Sequence, residues 1–152
     1  MTFNVQEFVA TPGHRLPVDF RLTPPAELFA DGDWTVVEIQ ISGEAFAQLS
    51  TLYMEVDVHA SIKQLCRRCR APVDIGEVVS EPFELQIPPG SDQVDVLPVV
   101  LQLIQTVHDP HVVCSRSCRG LCPTCGANLN EDPDHVCRES TSGRKTLRDY
   151  LS

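Results

Sequence analysis

Five of the seven cysteines lie within the 24 residues Cys114–Cys137, which read CSRSCRGLCPTCGANLNEDPDHVC, with His135 two places before the last. Thiolate and imidazole are the soft and borderline donors from which tetrahedral zinc sites are built. The best-formed piece is Cys122-Pro123-Thr124-Cys125-Gly126. A C-x-x-C-G turn aims two sulfurs at one ion, and the glycine permits the tight backbone that closes the loop. Just upstream, Cys114 and Cys118 form a C-x3-C pair. The spacing predicts one zinc ion held by four of Cys114, Cys118, Cys122, Cys125 and Cys137, with His135 as an alternative ligand. Such a segment has few apolar residues to bury and needs its metal to fold.

Cys66 and Cys69 form a second C-x-x-C, in Cys66-Arg67-Arg68-Cys69. Three uses are open to them: a second metal pair, a ribbon shared with Cys122 and Cys125, or core thiols. Around them stands a basic island of Lys63, Arg67, Arg68 and Arg70. It could contact RNA phosphate or another partner, balance nearby thiolates, or simply be a solvated turn. His108 and His111 precede Cys114 closely enough to stand behind a metal ligand; the alternative is that Asp109-Pro110 simply ends a helix between two solvated histidines.

These residues need a scaffold. Leu16, Val18, Phe20 and Leu22 alternate with polar neighbours and predict a half-buried strand, ended by Thr23-Pro24-Pro25. A single helical turn is expected over Ala26–Ala30, then a turn at Asp31-Gly32-Asp33. Trp34–Ile41 is rich in β-branched residues and reads as a strand, which Ser42-Gly43 breaks or bulges. Glu44–Gln64 reads as one long strand or a bent pair. It delivers Cys66–Cys69 to a turn, with a return strand over Val73–Gln86. His59 falls on the polar side.

The period then changes. Val96, Leu97, Val100, Leu101, Ile104 and Val107 recur at helical spacing, with Asp95 placed to cap the start and Pro98 in the tolerant first turn. Arg144–Leu151 suggests a last amphipathic turn or a frayed end. The expected class is α+β: a mostly antiparallel β-rich body with one long helix in the C-terminal half and a small zinc-knuckle segment. The expected domains are a body over 1–108, a zinc knuckle over 109–137 and a tail over 138–152.

Composition narrows the function. A hydrophobic fraction of 42% suffices for a core. The opening residues have neither a basic nor an apolar leader stretch, and no apolar run is long enough to cross a bilayer, so the reducing cytoplasm is expected. Disulfides are disfavoured there, which turns the cysteines toward metal. The net charge is −9. Residues 1–108 carry six Lys/Arg against fifteen Asp/Glu, whereas 109–152 carry six of each. An acidic body fits a basic protein partner or plain solubility better than broad contact with nucleic acid.

An enzyme would draw on Cys66 or Cys118 as a thiolate beside arginine, with His108 or His111 as base and Asp109 behind it. No phosphate loop, nucleophile elbow or helical HExxH accompanies them. The CRRC motif also lacks the βαβ setting of a thioredoxin-like site. The expectation is therefore a binding protein with no catalytic residues. A zinc-ribbon adaptor for a basic protein and, behind it, a thiol redox protein are the other readings.

Cys66-Arg67-Arg68-Cys69, the Val96–Val107 helix and the run from Cys118 to Asn130 (CRGLCPTCGANLN) occur in an order that resembles the YceD family of large-subunit ribosomal RNA accumulation proteins. The resemblance covers about residues 10–137. The ending Asp132-Pro133-Asp134-His135 is similar to the form of that family in which a histidine cluster follows, with Cys137 inside the cluster's place here. The Leu-Pro turn that usually closes the helix is replaced by Val107-His108-Asp109-Pro110-His111, and the usual Asp-Pro-Arg tail by Arg144–Leu151. The resemblance implies a non-enzymatic factor in large ribosomal subunit biogenesis, acting on precursor rRNA or a ribosomal protein within a precursor particle. Because some members lack the cysteines, it also implies that the zinc is structural.

Overall fold

The structure is a computed structural model that describes residues 2–29 and 32–137. The expected tail over 138–152 and its Arg144–Leu151 turn lie outside the described residues, as does Asp31 of the expected turn.

In chain order the elements are β1 (Thr2–Asn4), α1 (Gln6–Ala10), β2 (Leu16–Leu22), a 3-10 turn (Ala26–Phe29), β3 (Trp34–Gln48), β4 (Thr51–Leu65), β5 (Pro72–Val79), β6 (Phe83–Gln86), β7 (Gln93–Asp95) and α2 (Leu97–Val107). Strands β2-β3-β4-β5 form an antiparallel sheet, and β6 pairs with the opening of β4 to make a fifth strand. β1 and β7 form a separate two-stranded ladder.

Period-two patterning produces this sheet. Along β4, Leu52, Met54, Val56, Val58, Ala60, Ile62 and Gln64 are all buried, while Glu55, Asp57, His59, Ser61 and Lys63 face solvent. α2 sets Val100 and Ile104, both fully buried, into the same core. Each such aliphatic side chain contributes roughly 1.5–3 kcal/mol through its removal from water.

The expectation of an α+β chain with one long helix is overturned. α2 has eleven residues, three turns spanning ~16 Å at 1.5 Å per residue. Seven strands, two of them fifteen residues long, carry most of the regular structure, so the fold is β-dominated. α2 stays short because the backbone turns extended at His108, and Asp109-Pro110 prevents another turn. Its first turn begins one residue after Val96, with Asp95 accepting a hydrogen bond from the Leu97 N–H at 3.1 Å.

Strand boundaries at Ser42-Gly43 and in the return strand differ from expectation, and the Glu44–Gln64 alternative resolves to a pair. Ser42-Gly43 does not interrupt β3; the irregularity lies between Val36 and Glu38. Gly43 lies tight against β4, since a Cβ there would lie 2.5 Å from the Glu55 carbonyl oxygen. The Glu44–Gln64 stretch is two strands joined at Leu49-Ser50, with Leu49 at φ 57°. The return strand is likewise split, β5 ending at Val79 and β6 starting at Phe83.

Candidate metal centres

The sheet carries Cys66 and Cys69 at the tip of the β4–β5 hairpin, where the Cys66 N–H donates to the Ala71 carbonyl at 2.7 Å and the Arg70 N–H to the Cys66 carbonyl at 2.9 Å. That turn requires Arg70 at φ 63°, a conformation that costs a side-chain-bearing residue roughly 1–2 kcal/mol. Asp33 holds Arg70 there through two hydrogen bonds of 2.6 and 2.7 Å.

The chain leaving α2 is steered to the same tip. His108 stacks on Trp34 with ring centroids 4.3 Å apart, and Trp34 lies opposite Gln64 at the end of β4. The Gln64 side-chain amide donates to the Asp109 carbonyl at 3.2 Å, and Asp109 accepts from the His111 N–H at 2.7 Å. The Arg67 N–H then donates to the Val112 carbonyl at 3.0 Å. Cys114 and Cys118 thereby reach Cys66 and Cys69 across 45 to 52 residues of sequence.

Two quartets result: Cys66, Cys69, Cys114 and Cys118, and separately Cys122, Cys125, His135 and Cys137. Within each, the donor atoms all lie within 4.8 Å of one another. Four thiolates at ~2.3 Å from a tetrahedral zinc would sit about 3.8 Å apart. Cys66 and Cys118 have sulfurs 3.8 Å apart, and Cys69 and Cys114 3.5 Å. None of the seven cysteines forms a disulfide. Both quartets could hold a metal ion.

The structure thus separates Cys114 and Cys118 from Cys122 and Cys125, and pairs them with Cys66 and Cys69. Cys137 and His135 both join the second quartet. His111 faces Arg67 and no thiol. Of the basic island, Arg70 is bound to Asp33, Lys63 lies on the solvent side of β4 opposite Asp74, and Arg67 and Arg68 flank the first quartet.

The second quartet is built by the run that follows. The Cys122 N–H donates to the Ala127 carbonyl at 2.8 Å and the Gly126 N–H to the Cys122 carbonyl at 2.9 Å, with Gly126 at φ 76°. Gly120, at φ 77°, passes so close to Arg68 that a Cβ would lie 3.1 Å from its carbonyl oxygen. Asn130 joins the two centres by accepting from the Arg119 N–H at 2.8 Å and donating to the Cys118 sulfur at 3.5 Å. His135 sits 3.5 Å from the Asp132 carboxylate through Nδ1, leaving Nε2 3.2 Å from the Cys125 sulfur. A carboxylate behind a histidine is the arrangement that orients an imidazole metal ligand.

The electrostatics fit a cation in each quartet. Burial raises the Cys66 thiol, but the N–H groups of Cys69, Cys114 and Arg68 together bring it down to about 6. The neighbouring Cys69 and Cys118 thiols push Cys114 up to about 12. In the second quartet the N–H groups of Cys125 and Thr124 lower Cys122 to about 6. Burial, then Cys122 and Cys125, raise Cys137 to about 11. Each set therefore favours some of its thiolates, Cys66 and Cys118 in the first and Cys122 in the second, and resists others, a conflict that a divalent ion removes.

Sequence reasoning missed Asn130 and the neighbours Arg116 and Arg119. Only the adjacency of Arg116 and Arg119 to Cys118 signalled them, and that signal is uninformative until Cys118 is known to meet Cys66.

Among the described residues no helix is long and apolar enough to cross a membrane. No protein-family model matches the chain, and no solved structure does. Over 121 residues the chain is 26% identical to a Zea mays protein described as large ribosomal RNA subunit accumulation protein YCED homolog 1, chloroplastic. The match covers 78% of this chain and 39% of that protein, so the chain spans about two fifths of the relative's length.

Proposed function

We propose that this chain is a non-enzymatic factor of the YceD type that supports accumulation of large-subunit ribosomal RNA. It acts in the cytoplasm by binding a ribosomal precursor particle, and each cysteine quartet holds one structural zinc ion. The observation that carries this reading is the likeness over 78% of the chain to a protein named for that role. Agreement in order among CRRC, α2 and the Cys118–Asn130 run supports it.

The donor sets support zinc in particular. Four sulfurs, or three sulfurs and an imidazole, are closed tetrahedral sets with no position left for substrate. Bound metal would link the segment after α2 to the β4–β5 tip, and so hold a surface in place on the sheet. The thiols that would otherwise be nucleophiles face one another, which favours binding over turnover.

The test is depletion of the protein followed by quantification of both ribosomal subunits, together with sedimentation of the tagged protein. Large-subunit rRNA falling relative to small-subunit rRNA, and protein migrating with large-subunit precursors, is the expected result. Equal subunit levels and protein remaining at the top of the gradient would overturn the proposal. Capture of a basic protein that survives RNase would instead favour the adaptor reading.

A further inference from the structure

The arginines divide sharply by location. In the body, Arg15 pairs with Glu55, Arg21 with Glu38 and Arg70 with Asp33. Arg67, Arg68, Arg116 and Arg119 are exposed, and no described carboxylate lies within ion-pair distance of any of them. This occurs in a protein of net charge −9, with acidic groups to spare. All four flank the first quartet: Arg67 and Arg68 between its first two cysteines, Arg116 between the second two, and Arg119 just after Cys118. Where their head groups are engaged, they meet backbone carbonyls or an imidazole and no carboxylate. Arg68 donates to the Cys118 carbonyl at 3.1 Å, Arg119 to the Pro133 carbonyl at 2.8 Å, and Arg67 contacts His111.

Charge balance of the metal centre does not account for all four. Four thiolates around a divalent ion leave about two negative charges, which two arginines would offset. We propose that Arg67, Arg68, Arg116 and Arg119 form a basic rim on the first centre that binds the phosphate backbone of RNA. Guanidinium groups grip phosphate oxygens through paired N–H donors. The acidic sheet repels the same backbone, so contact is confined to this end of the molecule. The choice of RNA among polyanions rests on the function proposed above.

The experiment uses the full zinc-loaded chain and a fluorescent RNA hairpin from the large subunit, with anisotropy recorded across a salt series. Four phosphate contacts predict that log affinity falls with log salt at a slope of about −3 to −4. The variant R67Q/R68Q/R116Q/R119Q should bind at least tenfold more weakly, with a slope near zero and unchanged zinc content. Arg116 makes no described hydrogen bond, so R116Q tests the rim with little effect on folding and should lower the slope by about one. R21Q should bind like the wild type.

An unchanged slope in R116Q, or loss of zinc from the quadruple variant, would overturn the rim. So would an acidic polypeptide binding the rim as tightly as RNA. Sedimentation separates the two proposals: RNA binding without precursor association defeats the function alone, and precursor association undiminished in the quadruple variant defeats the rim alone.

Discussion

Arg70 and Gly126 hold the same place in two turns of the same construction. Each directly follows the second cysteine of a C-x-x-C, each has a positive φ, 63° and 76°, and each donates its N–H to the carbonyl of the first cysteine. In each turn the first cysteine's N–H also donates to the carbonyl five residues on, Ala71 or Ala127. Gly126 adopts this backbone without steric cost, whereas Arg70 is held there by Asp33. Adding a side chain at the glycine should therefore cost more than removing one at the arginine. Gly126→Ala is expected to weaken the second centre by ~1–2 kcal/mol, roughly 5–30-fold in zinc affinity. Arg70→Gly should leave first-centre affinity within a few-fold, because lost strain and lost ion pair offset. Competition with a colorimetric chelator measures both, and equal losses in the two variants would contradict the equivalence.

Much of this was legible because it is local. The alternation of Leu16–Leu22, the CRRC hairpin tip and the helical spacing of α2 are short-range patterns that packing preserved. The β3–β4 turn was hidden because Leu49-Ser50 has no glycine or asparagine to announce a positive φ, and alternation continues on both sides. The ligand sets were hidden for another reason. Cys114 is nearer in sequence to Cys122 than to Cys66, and long-range contacts such as the stacking of His108 on Trp34, the bond from Gln64 to Asp109 and the bond from Arg67 to Val112 bring Cys114 to the hairpin. Pairing across such separations is set by the fold and leaves no trace in spacing.

Gly43 tests how closely β3 and β4 approach. A methyl group there would meet the Glu55 carbonyl oxygen at 2.5 Å and the Val56 Cα at 2.8 Å, both backbone atoms of the partner strand. Neither can rotate away as a flexible side chain would. Gly43→Ala is expected to destabilise the body by more than ~2 kcal/mol, with zinc content unchanged at temperatures where it remains folded. Denaturant unfolding measures this. A loss comparable to that of Gly76→Ala, where a Cβ meets nothing within 4 Å, would contradict the close approach.

The Asp33–Arg70 pair predicts a pH dependence. Hydrogen bonds from Arg70 hold the Asp33 carboxyl below its ordinary value of 3.8. A carboxyl depressed on folding contributes stability above its unfolded value, and that contribution is lost as pH falls through the folded one. Asp33→Asn should therefore be less stable than wild type near neutrality. The gap should close as pH drops below about 3.8. The pair is exposed, so the gap is small and shrinks in high salt. A gap that widens on acidification would show that Asp33 acts otherwise.

Metal removal should have an order. The first quartet has three buried cysteines and bridges the β4–β5 tip to the chain after α2, while the second closes a loop over residues 122–137 and has Cys125 exposed. The purified protein should carry two zinc ions, and C66S/C69S one. Mild chelation should remove the second-centre ion first and expose residues 119–137 to protease. Stronger chelation should then free the whole 109–137 segment while the β signal in far-UV circular dichroism persists. Loss of that signal together with the first ion would mean that the sheet depends on the metal.

Asn130 lies within the loop of the second centre and reaches a ligand of the first, because its side chain accepts from the Arg119 N–H at 2.8 Å and donates to the Cys118 sulfur at 3.5 Å. A hydrogen bond to thiolate stabilises the charged form that a metal requires, and Arg119 belongs to the segment linking the centres. Asn130→Ala removes both bonds, along with the one its amide donates to the Asn128 side chain at 3.0 Å, and leaves the Arg119 N–H without this acceptor. Each lost bond is worth ~0.5–1.5 kcal/mol, so zinc affinity at the first centre should fall by roughly tenfold, though Asn130 is no ligand. The linkage also predicts that C122S/C125S, which disables the second centre, makes the first release zinc sooner to chelator. In an Asn130→Ala background that second effect should shrink. If the two losses simply add, the centres are energetically independent and Asn130 is only a local brace for its own loop.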